Sequence, residues 1–347
     1  MAKKNSSVSG IVLLAKRPGL TSFSSLNAVK KSLETSKVGH TGTLDSFAQG
    51  LLVVCVGNLT RLASHITAFD KSYEAVIEFG SETDTLDPGG TVIKTAPLPG
   101  LSELKDALKK FSGTIDQEPP AFSALHVDGQ RASDLVRKGQ TVKLKSRPVT
   151  VFDYEILEVK SEGEKVKYAR IRFDVSKGTY IRSLARDIAL ACGSAGHLEG
   201  LLRTTIGCFD LREAAGFDLL EGFTIESVIK KNRAERDDER GAFRAKSFFD
   251  DEKLFEQIKL KIKKMDFKIA QTCGLKTAVI KDDFIGHFKN GRLLKPSYFD
   301  SIPADEESEA GKETEKKYAV FSKYENFLGV ILFCGEKIKY EYVISDN

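Results

Sequence analysis

The sequence predicts an α+β fold built on a mixed, mainly antiparallel sheet flanked by helices, with a smaller second module behind it. Three observations predict it. Residues 73–79 and 167–175 alternate apolar and polar side chains with the period of two expected of half-buried strands. Helical spacing at 22–33, 102–111 and 180–192 falls between strands with no regular βαβ period, which argues against a doubly wound parallel sheet. Composition then shifts near residue 216 to a charge-dense stretch followed by a fresh set of short apolar runs.

Residues 1–10 are small and polar and read as a frayed arm. Gly10 to Ala15 is a short apolar strand closed by Lys16-Arg17-Pro18-Gly19. A helix begins near Ser22 and presents Leu26, Val29 and Leu33 on one face. Leu51 to Val56 is an apolar run of strand length. Tyr73, Ala75, Ile77 and Phe79 share one side of the next strand, with Glu74 and Glu78 on the other. Asp87-Pro88-Gly89-Gly90 is a turn, and Ser102 is expected to cap a helix carrying Leu104, Leu108 and Phe111 inward. Ala169, Ile171, Phe173 and Val175 face the core from a later strand. Ser176-Lys177-Gly178-Thr179 then turns into a helix from Tyr180 to Cys192, ended by Gly193.

Residues 229–268 carry dense alternating charge, with Leu254, Ile258 and Ile262 at helical spacing, and are expected to form an exposed helical connector. Asp282 opens a short helix with Phe284 and Phe288, stopped by Gly291. Two strands, Tyr318 to Ser322 and Phe327 to Phe333, follow an acidic loop at 304–317. The expected divisions are therefore 1–215, 216–268 and 269–347.

The chain has 347 residues, 41% hydrophobic and 29% charged, as an ordinary water-soluble protein does. Its net charge of +4 permits a polyanionic partner without requiring one. In residues 1–37 seven basic side chains (Lys3, Lys4, Lys16, Arg17, Lys30, Lys31, Lys37) face only Glu34, which suits phosphate contacts and equally suits a solvated face. Cys55, Cys192, Cys208, Cys273 and Cys334 are odd in number and scattered with no C-x-x-C pair. That argues against a disulfide framework or a thiolate zinc site and for a reducing, cytoplasmic setting. No apolar span approaches the about 18 residues of a membrane helix, so no membrane partner is expected.

Residues 37–52, Lys-Val-Gly-His-Thr-Gly-Thr-Leu-Asp-Ser-Phe-Ala-Gln-Gly-Leu-Leu, carry the chemistry. A single carboxylate, Asp45, sits between a glycine-punctuated turn and the buried run, a good station for a nucleophile or base. Burial drives a carboxyl toward its neutral form, so such a group needs a cation beside it, and Arg182 is the candidate. Gly39 and Gly42 do not make a phosphate loop, because no Lys-Ser/Thr follows and no G-x-G-x-x-G occurs. Asp84 and Asp87 read as turn residues rather than as a glycosidase pair.

This segment resembles the catalytic motif of the TruB-type tRNA pseudouridine synthases, Gly-His-Thr-Gly-Thr-Leu-Asp-Pro followed by Ala-x-Gly-Leu-Leu. Ser46 stands where that family usually has Pro. Lys177-Gly178-Thr179-Tyr180-Ile181-Arg182 is similar to the family stretch whose Arg pairs with the catalytic Asp. Lys71-Ser72-Tyr73 resembles its Lys-x-Tyr, and Pro119-Pro120-Ala121-Phe122-Ser123-Ala124 its Pro-Pro-x-Tyr-Ser-Ala with Phe for Tyr. The resemblance implies Asp45 as the catalytic residue, Arg182 as its partner and Tyr73 as the aromatic stacked on the target base. It further implies Tyr180 and Leu201 as pocket walls, His40 as the residue filling the vacated RNA stack, and Lys16 as a substrate or framework contact. Each of these side chains taken singly also fits a packing or surface role.

The implied reaction breaks the C1′–N1 bond of the T-loop uridine at tRNA position 55, turns the uracil and rejoins it through C5. It calls for no cofactor and no metal. The implied partner is the T-arm and elbow of tRNA, met by a monomer. Residues 269–347 resemble, more loosely, a PUA-type RNA-binding β-barrel. Two alternatives stay open: a subunit guided by RNA within a ribonucleoprotein, and a non-catalytic tRNA-folding chaperone.

Overall fold

The computed structural model describes residues 8–123, 125–127, 129–140, 142, 144–237, 251–301, 316–334 and 337–344. Residues 1–7 of the expected arm and 304–315 of the expected acidic loop lie outside them. The strands, in chain order, are β1 (Gly10–Lys16), β2 (Val38–His40), β3 (Gln49–Val56), β4 (Lys71–Phe79), β5 (Ser81–Thr83), β6 (Val92–Thr95), β7 (Gly113–Gln117), β8 (His126–Val127) and β9 (Gln130–Arg131). There follow β10 (Arg147–Glu162), β11 (Lys165–Val175), β12 (Gly196–Ile206), β13 (Phe209–Asp210), β14 (Lys276–Ile280), β15 (Phe299–Ser301), β16 (Lys316–Phe321), β17 (Phe327–Cys334) and β18 (Lys337–Val343). The helices are α1 (Ser22–Ser32), α2 (Ala63–Thr67), α3 (Leu101–Lys110), α4 (Ala132–Arg137), α5 (Ile181–Ala191), α6 (Ile225–Asp237), α7 (Glu252–Lys261), α8 (Phe267–Thr272) and α9 (Asp282–Lys289).

Nine strands form the main sheet in the order β1-β3-β12-β4-β11-β10-β7, with β2 on β3 and β13 on β12. Every pairing is antiparallel except β3 with β12, which run parallel over Gln49–Leu202 and Gly50–Arg203. At that junction Gly50 has φ +116°, and a Cβ there would stand 2.3 Å from the Arg203 carbonyl oxygen. Only glycine lets the two backbones approach so closely.

Burial follows the sheet. One face of β4 and β11 is wholly apolar, with Tyr73, Ala75, Ile77, Phe79, Ala169, Ile171 and Phe173 packed under α3 and α5, while the other is mixed and buries Val76 under α6. β1 and β3 are instead apolar on both faces, because both are covered. Val12, Leu14, Leu52 and Val54 meet α1 and α7, while Ile11, Leu13, Leu51 and Val53 meet Met265, Ile269, Phe321 and Val330. Continuous apolar runs are what two-sided burial requires.

Two local expectations are corrected. The cap at 100–103 is Gly100, whose N–H donates to the Glu103 carboxylate at 2.5 Å, so Ser102 lies inside the first turn of α3. The charged stretch is not an exposed connector, since α6 buries Ile225, Val228 and Ile229 against Val76, and α7 buries Leu254 and Ile258 under β1. Residues 238–250 of this stretch lie outside the described residues; the described charges of the two helices lie mainly on their outer faces, as in a surface helix. Beyond it β15-β14-β16-β17-β18 form a second sheet, with β14 and β16 parallel. Ala278, Ile280, Phe288, Tyr318, Val320 and Ile331 make its own core. Among the described residues no helix is long and apolar enough to cross a membrane.

Candidate active site

Asp45 stands in the loop between β2 and β3, and three buried side chains, Ser22, Lys16 and Arg203, fix that loop. Ser22, at the start of α1, accepts from Leu44 N–H at 2.8 Å and donates to the Leu44 carbonyl at 2.9 Å. Asp45 then opens a turn closed by Ala48 N–H donating to its carbonyl at 3.2 Å. Gly19 N–H donates to the Ser46 carbonyl at 2.8 Å. Behind the turn, Lys16 donates from Nζ to Ala48 at 2.6 Å, to Arg17 at 3.1 Å and to Ser46 at 3.3 Å. Arg203 donates to Leu51 (2.8 Å), Gly42 (3.2 Å) and Thr43 (3.3 Å).

Both cations are 1% exposed. Burial first, and then the charge of Lys231, depress the Lys16 pKa to about 7; Asp45 works in the opposite direction. The guanidinium of Arg203 spends its donors on the three backbone carbonyls named above.

Arg182, in the first turn of α5, faces Asp45 edge-on. Its Nε lies 3.1 Å from Oδ2, and Nη2 donates to Oδ1 at 3.4 Å. Nη1 donates to the Thr85 carbonyl at 2.9 Å and Nη2 to the Phe122 carbonyl at 3.0 Å. Asp87 Oδ2 is 3.9 Å from Nη1. The arginine side chain is 8% exposed and the aspartate 37%, so the cation is clamped and the carboxylate is presented outward. Helix α5 is set in place by Gln117, whose amide accepts from Tyr180 N–H at 2.8 Å and donates to the Tyr180 carbonyl at 3.1 Å.

The other sequence candidates collect around this pair to different degrees. Tyr73 is buried on β4 and shares an apolar cluster with Leu44, Ala48, Ile181 and Leu201. Tyr180 precedes Arg182, and its phenol is pushed up by burial, with Arg182 and Arg147 opposing and Asp45 adding to the rise. His40 sits on β2 across from Val54, with Nδ1 buried and unbonded among the described residues. Burial and then Arg203 lower its pKa, which keeps the ring neutral at pH 7. A cleft of about 340 Å³ opens beside the turn between Phe47, Gln49 and Leu201 on one wall and Phe223, Val228 and Lys231 on the other; Asp45 itself is not part of its lining.

Arg203, Gln117, Thr85 and Asp87 were not legible as site residues. Arg203 carried one local signal, a charged residue directly after the apolar pair Leu201-Leu202. Thr85 and Asp87 belong to a turn in which Leu86, a non-glycine residue, takes φ +60°. Such strain persists only where surrounding contacts impose it.

Comparison with known proteins gives the family of the chain. Residues 30–181 match the TruB family pseudouridylate synthase (N terminal domain). The chain is 39% identical to a tRNA pseudouridine synthase B of Treponema denticola, over 97% of this chain and 98% of that protein. It is 38% identical to the protein of the same name from Treponema pallidum, over 84% of this chain and 87% of the other. In fold it is similar to a chain from an H/ACA ribonucleoprotein bound to a substrate RNA containing 2′-deoxyuridine, with a TM-score of 0.61 and 21% identity over 97% of this chain and 85% of that one. A relative aligned over nearly all of this length shows that the chain belongs to the TruB family of pseudouridylate synthases.

Proposed function

We propose that this protein isomerises the T-loop uridine at tRNA position 55 to pseudouridine, with Asp45 as the catalytic residue. The observation that carries the reading is the Asp45–Arg182 pair, a carboxylate bound by a buried guanidinium and facing solvent. An everted uridine costs a few kcal/mol to unstack, and apolar and aromatic walls recover part of that. Tyr73, Tyr180 and Leu201 supply such walls in this reading. His40, neutral at pH 7 and on the rim strand β2, suits insertion into the gap left in the RNA stack. Lys16 acts through the turn it holds, not on the base. The C-terminal sheet is proposed as a PUA-like RNA-binding module, and the enzyme as a monomer that acts without guide RNA.

Tritium release from [5-³H]uridine-labelled tRNA tests this with the purified chain and no other component. Release by the wild type and none above background from Asp45→Asn is expected. Equal release from both would end the assignment of Asp45. No release unless a guide RNA is added would end the standalone reading.

A further inference from the structure

We propose that Phe23 and Lys30 on α1 form a platform for an unpaired nucleotide that flanks the everted uridine, its base stacked on the ring and its phosphate met by the lysine. The inference rests on the tRNA reading and adds to it a substrate contact outside the pocket. An amphipathic helix turns its apolar side chains inward, and α1 does so with Leu26, Ala28 and Val29. Phe23 breaks that pattern: it stands on the outer face and is 68% exposed, where its ring gains little from folding.

A single exposed apolar side chain is ordinary, so its place in the fold has to decide. The neighbouring Ser22 hydroxyl is bonded to both the N–H and the carbonyl of Leu44, at 2.8 Å and 2.9 Å. One contact therefore separates Phe23 from Asp45. Thr21, Phe23, Thr43 and Ser46 are all exposed and make a rim beside the carboxylate. A uridine turned out of its stack into the site draws its flanking nucleotides across that rim. The platform is also firmly held, since Thr21 caps α1 by accepting from the Ser24 N–H at 3.0 Å.

Charge selects the occupant. Lys30, two turns further on, reaches back along the helix and holds Nζ 5.1 Å from the centre of the Phe23 ring. Helix α1 carries two lysines and no carboxylate. With the lysine over one face, a ring this exposed still offers the other to a base. A nucleotide matches that pair of groups, because every base has a face to stack and every phosphate a charge to meet. An apolar protein groove closing on Phe23 would instead strip water from the ammonium without pairing it.

Filter binding of unmodified tRNA at several salt concentrations, with tritium-release kinetics on the same full-length proteins, tests the platform. The variants are Phe23→Ala, Phe23→Trp and Lys30→Gln, each checked for folding by circular dichroism. Leu260→Ala is the control: it is 84% exposed on α7, near Lys263, which pairs with Ile11 at the end of β1 away from Lys16. Phe23→Ala should weaken binding and raise KM about fivefold or more with kcat unchanged, while Phe23→Trp and Leu260→Ala stay within about twofold of the wild type. Lys30→Gln should flatten the slope of log affinity against log salt by about 0.7–0.9, and Phe23→Ala should leave that slope alone. Wild-type binding and KM in folded Phe23→Ala would overturn the proposal, and so would an unchanged salt slope in Lys30→Gln. A loss confined to kcat would make Phe23 a brace of the Asp45 turn, and a wild-type dimer broken by Phe23→Ala would make it a self-association face; either overturns the platform. Wild-type protein that neither binds nor modifies tRNA would refute the tRNA reading itself, and this contact with it.

Discussion

Asp45 and Arg182 meet through both carboxylate oxygens, at 3.1 Å and 3.4 Å, with the arginine's outer nitrogens committed to two backbone carbonyls. The guanidinium is thus fixed before the carboxylate is oriented by it. An ammonium in its place could satisfy the charge but could not reach Asp45, Thr85 and Phe122 together. Arg182→Lys should therefore fold, yet lose on the order of 100-fold in kcat, as small misplacements of reacting groups do. Single-turnover tritium release measures this, and a loss under threefold would show that orientation is unimportant here.

Arg203 holds the same loop from behind. Arg203→Met strips the donors from the carbonyls of Gly42, Thr43 and Leu51. The expected cost is about 3 kcal/mol of stability, since unsatisfied buried acceptors cost roughly 1–3 kcal/mol each and water can recover part. Urea denaturation gives the stability. In the folded fraction kcat should fall more than KM rises, because the RNA-facing surface is untouched.

Lys16 makes stability depend on pH. Folded, its pKa is about 7; its ordinary value is 10.5. Between those values the unfolded chain binds a proton that the folded chain lacks, so stability rises with pH from 7 to 10.5 and this group's contribution is flat below 7. The slope is at most about 1.4 kcal/mol per pH unit for one proton. Lys16→Met should remove that slope, read as the difference between the two proteins' urea midpoints at several pH values. Parallel curves would refute the depressed pKa.

Ser46 occupies the second position of the turn closed by Asp45 and Ala48. Proline is favoured there, and among the described residues the Ser46 N–H makes no hydrogen bond that proline would abolish. Ser46→Pro is expected to raise stability by roughly 0.4–1 kcal/mol through the unfolded state while leaving tritium release unchanged. A fall in Tm would mean that the turn carries a φ proline cannot adopt.

Much of this was readable locally. The alternation of Tyr73 to Phe79 and of Ala169 to Val175 fixes which face is buried, because side-chain direction in a strand depends only on parity. The helix carrying Arg182 announced itself through Gly178 and Gly193. The misreadings share a cause. Glu252 to Lys261 is charged enough to look like a solvated connector, yet Leu254 and Ile258 suffice to dock it once β1 offers an uncovered face. Gly196 to Ile206 showed no strand pattern, since its bulge breaks the parity, and it became the central strand β12.

Taken alone, the amino-acid order singled out the carboxylate proposed as reactive, the guanidinium expected beside it and the α+β class, because motifs, parity and helical spacing are properties of neighbouring residues. Only the tertiary structure decided that Asp45 and Arg182, 137 positions apart, share hydrogen bonds while Arg203, Lys16 and Ser22 brace the loop between them. That outcome depends on β3, β12, β4 and β11 lying side by side, and such non-local pairings are set by the packing of the whole core.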